Sequence, residues 1–198
     1  MKFVDEMKIN CYVENVLEYI RNYDKLNEIY LDVMLDGELY AHHLNVTKVA
    51  IQLAIGFGLC DEQIFQIALG AILHDIGKIK TPYNILYKPA RLNDDELVIM
   101  QKHPVVGYNL IKHLSIPDIS KTIVLEHHEK TDGKGYPYGI AKIALEVQLV
   151  TVADIFSALT ERRIYHSPKS VIETLNFINE WRNINQRAVD ILVRSVSD

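Results

Sequence analysis

A chain of 198 residues with 48% hydrophobic content carries enough apolar mass for one sizeable core, so a single main domain is expected. The formal charge is −5 and no run of Lys or Arg forms a basic patch; this argues against extended nucleic acid but leaves room for a small anion held at one positive point. Cys11 and Cys60 lie far apart and form no CxxC, which excludes a disulfide scaffold or zinc ribbon. No signal-peptide core opens the sequence and no apolar run reaches the ~18 residues of a membrane span, so no membrane contact and a cytoplasmic setting are expected.

Tyr12, Val16, Tyr19, Ile20 and Tyr23 fall at helical spacing, and a second short pattern covers Leu26 to Leu35. Residues 1–36 are therefore predicted to be a helical extension, too short for an independent sensory domain, that caps the core or forms a homodimer surface. Asp36-Gly37 breaks the pattern, and residues 37–198 are expected to form the main domain. Val46, Val49, Ala50, Leu53 and Phe57 then trace one buried face. His42 shares it one turn before Val46, and Glu38 one turn earlier, so both are expected to point inward. His43 is turned about 100° away and is the weaker candidate.

From Ile64 to Leu73 almost every residue is apolar, with no polar stripe after Gln66, which reads as a helix covered on all sides. It ends in His74 and Asp75, with Gly77 expected as a left-handed stop and Lys78 directly after. An imidazole and a carboxylate at the C-terminal end of a buried helix sit where the dipole favours a cation, and both ligate first-row metals. This is the expected floor of an active site. Residues 78–92 read as a surface loop; Asn93 with Glu96 resembles a capping box, and Pro104 opens the next helix, leaving His103 at the junction.

A helix starting at Pro117 is expected to end near His127-His128, before the glycine- and charge-rich EKTDGKGYPYG, a structured turn or lid. Leu149 to Leu159 is an apolar helix with one acid, Asp154, whose burial would cost several kcal/mol without a cation, on the order given for buried ions. Helices around Val171–Trp181 and Ala188–Val196 complete an all-α chain. The residues aimed inward are Glu38, His42, His74, Asp75, His103, His127, His128 and Asp154, including five of the eight histidines; His43, His113 and His166 are read as ordinary hydrogen-bonded or surface residues. Imidazole and carboxylate without thiolate suit iron or manganese, and the set is large enough for two or three divalent ions.

His42, HDIGK (His74 to Lys78), HHEKTDGKGYP (His127 to Pro137) and VADIFSALT (Val152 to Thr160), with NILYKPARL and HPVVGYNL between them, resemble the HD-GYP domain family over about Glu38 to Lys169. The resemblance implies an HD-domain helical bundle and a metal-dependent phosphodiesterase that opens cyclic di-GMP to the linear dinucleotide pGpG, in some members on to GMP. It maps the metal ligands onto His42, His74, Asp75, His103, His127, His128 and Asp154, with Glu38 matching members that hold a third ion. It implies that Asp75 and Lys78 act in catalysis, Lys78 at the scissile phosphate, and that Gly135, Tyr136 and Pro137 form the loop beside substrate, with Arg163 and His166 as further contacts. A diguanylate cyclase or another signalling protein is the protein partner considered. Departures lie beside the metal set: Ser157 replaces an aspartate, Arg163-Ile164-Tyr165-His166 stands for Arg-Pro-Tyr-Arg, and the loop from Gly139 to Leu145 is short and lacks Ile-Pro. A non-catalytic nucleotide- or protein-binding module and a phosphohydrolase for another nucleotide are the competing readings.

Overall fold

The computed structural model describes residues 5–161 and 169–197, and among these every regular element is helical. α1 (Glu6–Arg21) and α2 (Asp24–Met34) precede the long α3 (Gly37–Phe57) and the central α4 (Asp61–Leu73). A 3-10 turn (Ile76–Lys80), a single turn α5 (Tyr83–Leu86), α6 (Asp94–Met100), α7 (His103–Ile111), α8 (Asp118–Glu126) and α9 (Leu145–Thr160) follow, then α10 (Val171–Asn179) and α11 (Gln186–Ser197). No described helix is long and apolar enough to cross a membrane.

The caps explain several boundaries. Asp36 accepts from the Leu39 amide at 3.0 Å and starts α3, which ends at Gly58 with φ of 76°, where a side chain would be strained. Asn93 and Glu96 form the expected reciprocal capping box of α6.

Residues Ile67 to Leu73 of α4 are all buried, because α3, α8 and α9 pack around it and α1 crosses beside it. Each fully buried Leu or Ile here stabilises the fold by about 1.5–3 kcal/mol. Val16, Ile20, Leu26, Tyr30 and Val33 are buried in the same core, so α1 and α2 complete it as a cap.

Gly77 departs from the sequence expectation. It is not left-handed; the glycines with positive φ are Gly58, Gly133 and Gly139. The chain instead tightens into the 3-10 turn, and a Cβ on Gly77 would lie 2.0 Å from the His103 carbonyl oxygen and 2.6 Å from the Gly107 nitrogen. A glycine is required there because α7 rests directly on the turn. That contact brings His103 beside Asp75.

Candidate metal centre

Each buried ligand candidate sits where a helix ends or where α3 and α9 face each other. His74 caps α4, His103 opens α7 just after α6, and His127 caps α8. The last carbonyls of a helix have no intrahelical partner and can accept from a side chain. His74 Nδ1 is 2.7 Å from the Ala71 oxygen, His103 Nδ1 2.8 Å from Met100 O, and His127 Nδ1 3.1 Å from Val124 O. A carbonyl can only accept, so each Nδ1 carries the proton and each Nε2 turns a lone pair inward.

Those lone pairs converge. His103 Nε2 lies 3.3 Å from His127 Nε2 and 3.2 Å from His128 Nε2. Asp75 divides its two oxygens: Oδ1 is 3.0 Å from His103 Nε2 and 3.7 Å from His127 Nε2, while Oδ2 is 3.2 Å from His74 Nε2 and 3.8 Å from His42 Nε2. Asp154 Oδ1 meets His42 Nε2 at 3.1 Å and His74 Nε2 at 3.9 Å. Two clusters result, Asp75 with His103, His127 and His128, and His42 with His74 and Asp75; within each, the candidate ligand atoms lie inside 4.8 Å of one another. Buried Asp75 Oδ1 and His74 Nε2 have no hydrogen donor. Lone pairs of imidazole and carboxylate facing one another repel, and a divalent cation is the partner that this donor set fits.

The titrations follow the same geometry. Burial would raise Asp75, but the Lys78 ammonium, then His74 and His103, hold it well below the usual carboxylate range. Asp154 is likewise held low against burial by its hydrogen bond to His42 and by the charges of the neighbouring histidines. Burial lowers His74 and His103, and lowers His128 strongly, with its neighbours His127 and His103 adding to that. His42 runs the other way: burial pushes it down, yet hydrogen bonds to Asp154 and Glu161 leave it raised.

Seven of the eight expected ligands are thus brought together. Glu38 is not: it is exposed in the first turn of α3, in a groove lined by Asp36, Tyr83 and Tyr87. Asp36 caps this turn and accepts from the Tyr87 hydroxyl, which keeps the end of the helix at the rim. Lys78 is ion-paired with Asp75 and largely buried. Arg163 and His166 lie outside the described residues.

A family model described as HD domain matches residues 26–185. The chain belongs to the HD-domain family. Among curated relatives, it is 36% identical over 165 residues to the cyclic di-GMP phosphodiesterase response regulator RpfG of Xanthomonas campestris pv. campestris, covering 80% of this chain and 44% of that protein. It is 35% identical over 147 residues to a cyclic di-GMP phosphodiesterase of Thermotoga maritima, covering 72% and 40%, and 32% identical over 165 residues to the 3'3'-cGAMP-specific phosphodiesterase 1 of Vibrio cholerae, covering 79% and 37%. The chain spans about two fifths of the length of these relatives. In fold it is similar to an HDG"Y"P protein of Bdellovibrio bacteriovorus, with TM-score 0.68 at 21% identity over 80% of this chain and 52% of that one. The HD domain of the Listeria monocytogenes phosphodiesterase PgpH gives TM-score 0.65 at 18% identity, covering 85% and 94%.

In this HD domain the Gly135-Tyr136-Pro137 stretch folds back onto the end of α8 and the His127–His128 pair. The Tyr136 amide donates to His128 O at 3.3 Å, and its ring stacks on His128 with centroids 4.6 Å apart and planes at 27°. A Cβ on Gly135 would stand 2.4 Å from Glu129 Cα, so only glycine lets the backbone lie there. Glu129, unmarked in the sequence reading, is 1% exposed and accepts from three amides of this loop, Tyr138 and Gly139 through Oε1 at 2.7 and 3.1 Å, and Ile140 through Oε2 at 3.1 Å. His43 is fully buried as well, with its ring centroid 5.1 Å from that of His74, and its Nδ1 donates to Ile72 O at 2.7 Å.

Proposed function

We propose that this chain is a metal-dependent phosphodiesterase acting on a cyclic dinucleotide, cyclic di-GMP first among them, in the cytoplasm. The observation that carries the reading is Asp75, whose two oxygens face two separate imidazole groups, the arrangement of a carboxylate shared by two ions. The proposed ligands are His42, His74, Asp75, His103, His127, His128 and Asp154. Two ions with this set, without Glu38, account for the donors that converge. Iron or manganese suits the imidazole and carboxylate chemistry with no thiolate.

When bound, divalent ions supply Lewis acidity, activating water and neutralising phosphate oxygens. The chain's own residues prepare that chemistry. Nδ1 donation to helix-end carbonyls locks the rings of His74, His103 and His127 in place, so little reorganisation is needed when charge develops. Lys78, placed one turn after Asp75, presents an ammonium on the same side and is proposed to meet the scissile phosphate. Tyr136, held over His128, walls the site on the loop side. Names of relatives that include cyclic di-GMP and 3'3'-cGAMP phosphodiesterases support the substrate class. A diguanylate cyclase or another signalling protein, and a second copy of this chain, are the protein partners proposed.

Incubation with cyclic di-GMP and with 3'3'-cGAMP, in manganese or anaerobic ferrous iron, followed by chromatography of products, tests the reading. Linear dinucleotide is the expected product. Binding of two metal ions without turnover of either nucleotide would replace the enzyme by a binding module.

A further inference from the structure

We propose that Glu161 is the positioning carboxylate of His42, and that Asn45 holds Glu161 in place. The proposal rests on reading the histidine–aspartate cluster as a metal site, and it concerns how this chain sets the affinity of one half of it.

His42 differs from the other converging histidines in where it sits. His74, His103 and His127 take their orientation from main-chain carbonyls at helix ends. His42 lies inside α3, where the carbonyl one turn earlier already accepts an intrahelical amide. Its acceptor therefore comes from another element. Glu161 caps the C-terminal end of α9, two helical turns after Asp154, with its side chain 19% exposed. Glu161 Oε2 is 2.9 Å from His42 Nδ1, and Oε1 accepts from Asn45 Nδ2 at 2.9 Å. Asn45 is one turn beyond His42 on α3, so both carboxylate oxygens of Glu161 are spent on neighbouring side chains of one helix. From α9, Asp154 then faces His42 Nε2 and Glu161 faces Nδ1.

A carboxylate on Nδ1–H does what a carbonyl does, fixing the tautomer and the ring, and adds negative charge that makes Nε2 a stronger donor to a cation. Glu161 should therefore tighten the ion bound by His42, His74, Asp75 and Asp154. The ion among His103, His127 and His128 should be insensitive to it.

The test is manganese binding to the purified chain, followed by titration against a competing chelator, with Glu161→Gln, Glu161→Ala and Asn45→Ala beside the parent. One of two sites should weaken by about 10- to 100-fold in Glu161→Ala, the loss typical of removing such an orienting partner. Glu161→Gln, which keeps an acceptor and loses the charge, should fall between, and Asn45→Ala should weaken the same site by less. The thermal midpoint without metal, measured alongside, separates a structural role: a lowered midpoint with both affinities unchanged would overturn the proposal. So would equal weakening of both sites in Glu161→Gln. If the parent binds no manganese or iron, the metal reading itself falls, which is a different result from a parent that binds two ions and a Glu161→Ala variant that binds them equally well.

Discussion

Among the described residues, Asp75 has the most demanding position. It is buried, charged, and shared between two clusters, so a neutral side chain there leaves both without their common ligand. Asp75→Asn is expected to lose both ions, measured by elemental analysis, whereas Glu38→Ala, at the exposed rim, should keep both. Retention of two ions in Asp75→Asn would show that the carboxylate does not bridge. Lys78 is ion-paired with Asp75 and with no other carboxylate of the cluster; a cation held by Asp75 would leave its ammonium free for an incoming phosphate. Lys78→Ala should retain metal and lower turnover by about 10²-fold, the effect of removing one electrostatic stabiliser. Wild-type rates would remove Lys78 from the mechanism. Ser157 stands on α9 one turn before Glu161, and its buried hydroxyl has no hydrogen-bond partner among the described residues. The carboxylate that engages α3 thus comes from the end of the helix.

Between elements, two contacts set the site. One is the 3-10 turn against α7, where Gly77 admits the His103 carbonyl. Gly77→Ala would place a methyl against backbone that cannot yield, so a loss at or above the ~1–3 kcal/mol typical of overpacking is expected, with weaker metal binding as His103 moves. Gly56→Ala offers the contrast, since the nearest atoms to its Cβ would be those of the Ile191 side chain and not backbone; a thermal midpoint as low as that of Gly77→Ala would contradict this difference. The other contact is the loop on Glu129. Glu129→Ala removes the acceptor of three amides, each such bond to a charged group being worth about 1.5–3 kcal/mol. Hydrogen exchange at Tyr138, Gly139 and Ile140 should accelerate while both ions stay bound. Exchange as slow as in the parent would mean that the loop is held elsewhere.

The same contacts mark how much was legible in the sequence. The wholly apolar α4 ending in His74-Asp75, and the lone acid in α9, point inward because nothing else explains charge in such surroundings. Helical period also put His42 on the core face. It misjudged Glu38, because a capped first turn lies at the rim whatever its phase, and it turned His43 away from the core, where the hydrogen-bonded ring is in fact buried because α3 is covered on more than one side. Glu161 carried no local signal, and Glu129 none beyond its place in HHEKTDGKGYP. Glu129 opens the stretch read as a structured turn or lid, Glu161 stands beside two arginines, and the carboxylate of Glu161 finds His42 at a separation of 119 residues. Gly77 was noticed for the wrong reason: its place after the apolar helix suggested a left-handed stop, while the need for a bare Cα comes from another helix.

At the scale of the whole molecule, the buried cluster draws on α3, α4, α7, α8 and α9, the helices that also form the core. An unfolded chain cannot hold these residues at one point, so ions that bind the folded state should stabilise the entire fold through mass action. At free metal one hundredfold above Kd, each ion contributes about 2.7 kcal/mol, which for a chain of this size raises the thermal midpoint by roughly 5–10 °C. A calorimetric titration with manganese should therefore move the midpoint upward in the parent, by about half as much in Glu161→Ala at metal concentrations that fill only the tighter site, and not at all in Asp75→Asn. Because α1 and α2 share the core, the transition should shift as one cooperative unit. A midpoint independent of metal in the parent would mean that the converging imidazoles and carboxylates do not form a binding site coupled to folding, and a second transition that ignores metal would mean that α1 and α2 unfold apart from the rest.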